Sequence, residues 1–485
     1  MPSSSTERKD CALTDSHVDQ VGGNAVFINN YNRRLTVRGC RIDQAGSGGV
    51  TFMGDPNAVR SPLFEYNERQ SFADIGLTPG PKTNNYPADC LVEDCLITLT
   101  GRVEKQSAGV GINMAARITI RHCSIYDMPR AGINIGDGCW GGHIVEFCDV
   151  FDTVLETSDH GSFNSWGRDR FWGLTDWDAH ASTELAFLDV VETIILRNNR
   201  WRCDHGWDID LDDGSSNYHI YNNLCLAGGI KNREGYGRLV ENNIAPTKGF
   251  DPHVWYPDSQ DVFRRNIIGG YFPIRVAKPW GKEVDDNLLH IPGATGTRPA
   301  RELQEKSGRD ENSVAADALF VDPANGDFRV QPGSPALALG FKNFPMDQFG
   351  VKSPALRALA RTPEIPRYTG LQKPEATGRN PRTVRWLDAS LKNIIGLGEI
   401  SATGLPGEVG VRVVVLPADS RAAQLGLKEN DVILTCNGTP THEMAEWIKA
   451  WNAAVKSGQA ELEIWRGQNA MPFRLTLRPE DAIRE

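Results

Sequence analysis

The chain has 485 residues, 40% of them hydrophobic and 24% charged, with a formal net charge of −10 and a pI near 5.6. That length exceeds one ordinary core and suggests about three units, or one long repeat plus an addition. The acidity, without any basic run, argues against a nucleic-acid partner, and no stretch approaches the roughly 18 apolar residues of a membrane span.

The opening MPSSSTERKDCALTD lacks the apolar core of a secretory signal and already reads as repeat. The chain is therefore expected to be cytoplasmic as it stands, and secreted or periplasmic if a signal precedes it. A pattern then recurs: VRGCRI at 37–42, VEDCLI at 92–97, IRHCSI at 120–125 and VEFCDV at 145–150. Further on Asn takes the Cys position, in LRNNRW at 196–201, IYNNLC at 220–225, VENNIA at 240–245, FRRNII at 263–268 and VDDNLL at 284–289. The markers Cys95, Cys123, Cys148, Asn199, Asn223, Asn243, Asn266 and Asn287 stand 20 to 28 positions apart, except for 51 between Cys148 and Asn199. That gap holds either one extra turn or an insertion.

Short β-rich pieces repeating at roughly 20 to 30 residues are the mark of a β-solenoid, in which no coil buries its apolar face alone. The stacked Cys and Asn read as a ladder at one turn, each side chain serving the equivalent residue one coil away. Cys40, Cys95, Cys123 and Cys148 share that position and form no CxxC, so they are read as small buried residues rather than metal ligands. The repeat breaks at 52–89, a Pro-, Asn- and aromatic-rich stretch expected to loop over the groove and wall a binding site.

Alternation along the following strands predicts what lines the groove. AGINIG at 131–136 buries Ile133 and Ile135 and shows Asn134. SDHGSFNSWGRDRFW at 158–172 buries Phe163 and shows His160, Ser162, Asn164 and Trp166. In HGWDIDLDDGSSN at 205–217, Trp207, Ile209 and Leu211 point one way and Asp208, Asp210 and Asp212 the other. GGIKNREGYG at 228–237 turns Lys231 and Arg233 outward, and DPHVWY at 251–256 turns Val254 inward and His253 and Trp255 outward. Carboxylates at about 6.5 to 7 Å spacing repel unless cations or acid/base chemistry compensate, so the ionisable groups of these neighbouring coils read as one active site.

Two carboxylates facing a sugar can cleave a glycosidic bond, one protonating the leaving oxygen and the other attacking or activating water. Trp166 and Trp255 fit as platforms for sugar faces. The EF-hand reading of D-x-D-x-D-D-G at 208–214 fails, because that loop needs Gly one position earlier and Glu at its twelfth position, where His219 stands. No metal site is assigned and no cofactor is expected, with non-EF calcium on the acidic strand kept as an alternative. Calcium would accompany a polysaccharide lyase in which Lys231 or Arg233 abstracts a proton. A third reading is a non-catalytic glycan-binding solenoid.

DHGSFNSWGRDRFW at 159–172 followed by DIDLDDGSSNYHIYNN at 208–223 resembles β-helix glycoside hydrolases, most closely glycoside hydrolase family 141. The resemblance covers about residues 10–350, including FVDPANGDFRVQPGSPALALGF at 320–341. It implies a mainly β, right-handed parallel β-helix over 1–349 and an α-L-fucosidase- or xylanase-like hydrolase of plant, algal or microbial glycans using two Asp. Within the motifs Asp210 is the first choice among the catalytic candidates, flanked by Asp208 and Asp212, and its partner is Asp208 or Asp169. His160, Trp166, Arg168, Lys231, Arg233, His253 and Trp255 then bind substrate.

Residues 350–384 are Pro- and Arg-rich and read as a linker. Beyond them GLGE at 396–399, SRAAQLGLKENDVILTCNG at 420–438 and a helix starting near Thr441 resemble a bacterial PDZ domain, a small α+β module over 385–485. The resemblance implies that a peptide C-terminus adds at Leu397, Gly398 and Glu399, although Glu399 departs from the usual apolar residue. No GxSxG motif supports a protease.

Overall fold

The computed structural model describes residues 8–60, 68–137, 139–167, 170–172, 174–175, 182–253, 256, 258–272, 277–366, 383–395, 399–400, 403, 405, 407–466 and 469–483. The chain divides into two compact units, 1–371 and 372–485.

The first unit is a parallel β-helix. Each coil gives one short strand to each of three long sheets, of ten, twelve and eight strands, and successive coils pair in parallel. The exception is Arg298–Pro299, which closes the twelve-stranded sheet antiparallel to Val314–Ala316. The inward positions of all three sheets, among them Val37, Ile97, Ile133, Phe163, Ile209 and Ile230, form one continuous core.

The paired residues of the repeat have separate tasks. The first bends the chain: Asp94, His122, Phe147, Asn198, Asn222, Asn242, Arg265 and Asp286 all lie in the left-handed region, with φ between 51° and 57°. Asn tolerates that conformation better than most residues, which favours it at 198, 222 and 242. The second residue is the ladder. Asn243 Oδ1 accepts from the backbone N and the Nδ2 of Asn223, at 3.0 Å each, while its Nδ2 donates to Ile220 O at 2.9 Å and to Glu241 O at 3.0 Å.

The cysteines continue the line, all ten being free thiols. Cys148 N donates to Asn199 Oδ1 at 2.8 Å, so these two coils are adjacent and the gap of 51 is an insertion, not an extra turn.

The stretch expected as a linker starts on the β-helix itself. Lys342 N donates to Asn242 Oδ1, Gly350 N to Phe147 O, Val351 N to Ser124 Oγ, and Lys352 N to Asp94 Oδ1. Val351 and Leu356 pack with Leu96, Tyr126 and Phe151, and Arg361 pairs with Asp127 and Asp152. Residues 342–361 thus run back over coils laid down much earlier.

The second unit is an antiparallel sheet in the order Val384–Trp386, Ala389–Asn393, Val411–Val415, Val432–Cys436, Gln459–Arg466 and Asn469–Thr476. Helix Met444–Ser457 buries Met444, Trp447, Trp451 and Ala454, all on one face, and Trp386 meets Trp447 and Trp451 edge-on.

Candidate functional site

Eight strands build the sheet that carries the site: β1 (Val26–Asn29), β2 (Val50–Met53), β3 (Val110–Asn113), β4 (Ile133–Ile135), β5 (Gly161–Ser165), β6 (Trp207–Leu211), β7 (Ile230–Asn232) and β8 (Phe250–Pro252). Their register aligns Phe27, Thr51, Gly111, Asn134, Asn164, Asp210, Lys231 and Asp251 in one outward column, with neighbours about 4.8 Å apart. The column is half exposed at Phe27 and sealed from Asn164 to Asp251.

Lys231 is the focus. Its ammonium lies 3.1 Å from Asp210, 3.3 Å from Asp212 and 3.5 Å from Asp159, and 4.1 Å from the centre of the Trp207 ring. Those carboxylates outweigh its burial and hold it protonated far above the usual lysine range. Asp210 is fully buried, and burial pushes its carboxyl well above the usual range, against the pull of Lys231. The Asn164 amide lies 3.2 Å from Asp210 Oδ2. Asp212 goes the other way: Lys231 and Arg233 together overcome burial and keep it ionised. Arg233 Nη1 also reaches Asp213 at 3.1 Å, and its Nε reaches Glu234 at 2.7 Å.

Two expectations for the acidic strand are corrected. Asp208 N and Ile209 N both donate to Gly229 O, at 2.9 and 3.1 Å, which makes a bulge and shifts the alternation by one residue. Asp208 therefore leaves the acidic face. Its carboxylate accepts from the backbone N–H of Cys203, Ala227 and Gly229 at 2.7 to 3.0 Å, sealed from any substrate. Gly228 permits this, since a Cβ there would stand 2.4 Å from Asp208 N. Trp207, expected inward with Ile209 and Leu211, instead packs under Lys231 and donates from Nε1 to Asp251 Oδ2 at 2.9 Å.

Of the proposed binders, His160, Trp166, Lys231, Arg233 and His253 gather around this cluster. His160 Nδ1 meets Thr157 Oγ1 at 3.2 Å. Burial and the neighbouring cations push both His160 and His253 down to about 3, leaving neutral imidazoles. Arg168, Asp169 and Trp255 lie outside the described residues, as do Leu397 and Gly398. Glu399 is described, and its carboxylate accepts from Ile395 N at 3.0 Å and pairs with Lys392.

Alternation along strands could not reveal Asp159, which sits at φ 59° in the turn before β5 with its side chain 28% exposed. Asp251 was hidden because its strand lacks any charge alternation. Its carboxyl is fully buried, pushed up to about 7 by that burial, and its Oδ1 has no hydrogen-bond partner. Arg130 precedes β4 in a turn; it is 6% exposed and donates from Nη1 to Asn134 Oδ1 at 2.9 Å.

Described parts of the stretch at 52–89 contact described parts of a second stretch that follows β5. Gln70 pairs with Leu174, Arg170 donates to Thr78 O and pairs with the buried Asp189, and Gly80 N donates to Leu188 O. Ile75, Phe171, Leu174, Leu185 and Tyr236 close the joint. Calcium does not fit the acidic strand, because an ammonium stands where the carboxylates converge. Among the described residues the ligand-sized group is His17, Asp19 and Asp43, on other strands.

No curated protein matches the chain. Among solved structures, a chain titled "Glycoside hydrolase" matches at 11% identity with a TM-score of 0.30, covering 50% of this chain and 34% of its own, so this chain spans about a third of that one. Residues 3–170 match the family described as "Right handed beta helix region", which places the coils carrying β1 to β5 among right-handed β-helices.

Proposed function

We propose that the first unit is a glycoside hydrolase acting on a polysaccharide or oligosaccharide, with Asp159 and Asp212 as the two carboxyls that meet the sugar. The observation that carries this reading is one ammonium gripped by three carboxylates, of which only two are reached by solvent: Asp212 is 17% exposed, Asp159 28%, and Asp210 not at all. Because both lie within 3.5 Å of one nitrogen, their nearest oxygens are at most about 7 Å apart, within reach of opposite sides of a glycosidic bond. Asp212, ionised, suits the attacking or base role. Asp210, fully buried against Lys231, is a positioning residue.

Elimination is disfavoured on the same grounds. A lyase base must accept a proton, and Lys231 and Arg233 are both held as cations by their carboxylates.

The test is a panel of fucosylated, xylan-like and uronate-containing glycans, read by reducing-sugar release and by the ultraviolet absorbance of unsaturated uronates. Asp212→Asn and Asp159→Asn should each lower hydrolysis by about 10² to 10⁴-fold, and Asp210→Asn by less. Full hydrolysis by Asp212→Asn removes the assignment. Unsaturated product restores the lyase, and tight binding without turnover favours a binding protein.

The second unit is proposed to be a PDZ module that takes a peptide C-terminus as an added strand. Glu399, already engaged by Lys392 and Ile395 N, is then a brace of the carboxylate loop rather than a ligand of the peptide.

A further inference from the structure

We infer that Arg130 and Trp166 form a subsite for an oxyanion substituent of the sugar, a carboxylate or a sulfate ester. The inference rests on the glycan reading of the site and narrows its substrate class. Arg130 is 6% exposed, yet among the described residues no carboxylate lies within 4 Å of it. Among the described residues its hydrogen bond uses Nη1, to Asn134, and its buried Nε has no partner. The guanidinium lies 5.0 Å from the centre of the Trp166 ring, whose buried Nε1 likewise has no partner among the described residues.

The chemistry of this pair is one-sided. Arginine and indole nitrogens donate and never accept, so two neighbouring side chains whose donors lack partners among the described residues call for a group that accepts. A buried charge without a close counter-ion is costly, and a ligand that supplies one recovers that cost. The free Nε edge of a guanidinium offers the paired donors that match a carboxylate or sulfate. Asp159, Asp210 and Asp212 act on Arg130 from beyond ion-pair distance, and burial brings it down only to about 10, so it stays charged. The acidic cluster does not cancel the subsite, because Lys231 pairs with Asp159, Asp210 and Asp212, and Arg233 with Asp212 and Asp213.

The experiment is calorimetric titration of the full chain with D-glucuronate, D-galacturonate and D-galactose 6-sulfate, each against its neutral parent at constant ionic strength. At least one anionic sugar should bind 10-fold or more tightly than its parent. Arg130→Gln should remove that preference, and Arg130→Lys should restore it in part. Should Arg130→Gln not fold, Trp166→Phe keeps the ring and loses the donor, and should weaken the anionic sugars about 3-fold or more. Uronates binding while the sulfate does not identifies a carboxylate subsite, and the reverse a sulfate subsite. Equal binding of charged and neutral sugars, no binding of any anionic sugar, or a preference unchanged in these variants overturns the inference. Anionic preference without cleavage of any glycan keeps the subsite and removes the hydrolase, whereas cleavage of neutral glycans without that preference removes the subsite alone.

Discussion

Replacing Asp251 by Asn should make the protein more stable in mildly alkaline solution and leave it unchanged in acid. The Asp251 carboxyl is fully buried, and burial raises it to about 7 from the ordinary 3.8. A carboxyl raised on folding binds its proton more tightly in the folded state, so its stabilising contribution is complete below pH 3.8 and is lost as pH rises through about 7. That difference, at about 1.4 kcal/mol per pKa unit, amounts to about 4 kcal/mol across the window. Asparagine keeps an oxygen for the Trp207 Nε1 donor and has no proton to lose. Urea midpoints for both proteins from pH 4.5 to 8.5 provide the assay. The wild type should weaken as pH rises, and the variant's slope should be shallower by up to about 1.4 kcal/mol per pH unit. Asp208, also raised to about 7 by burial, keeps a residual slope in the variant. Parallel profiles would refute the reasoning, since they would mean that Asp251 titrates alike in both states.

Arg233→Met takes one of two cations from Asp212, so the acid limb of activity should move toward neutral by about one pH unit, as a pH–rate profile will show. Asn243→Ala empties a ladder rung that accepts two hydrogen bonds and donates two more, and should cost about 3 to 5 kcal/mol in chemical denaturation. Phe349→Ala removes a buried ring beneath Arg200 and should cost about 3 kcal/mol, visible as a lower melting temperature.

The solenoid was legible because its period repeats physically. Each Cys or Asn marker meets the next across one coil, and inward Ile133, Phe163 and Ile230 obey simple alternation. The site was legible as a neighbourhood: Asp210, Asp212, Lys231 and Arg233 do share one cluster. Its details depend on what alternation cannot see. A single bulge, where two N–H groups share Gly229 O, exchanged the places of Trp207 and Asp208. Asp159 and Arg130 stand in turns, where side-chain direction follows backbone dihedrals rather than a period of two. Asp251 reaches the cluster only because β8 lies in register with β7.

The returning segment at 342–361 changes how the β-helix should come apart. In a solenoid each coil touches only its neighbours, so unfolding can begin at an end and proceed coil by coil. Here one stretch is bonded to Asn242 at its start and to Asp94 further on, with Phe147 and Ser124 between. A fraying front that reaches any of these coils must also peel away the segment that secures the others. The strap thereby lengthens the cooperative unit from a pair of coils to most of the stack, and ties the rigidity of the rungs that carry the candidate site to residues far from them in sequence.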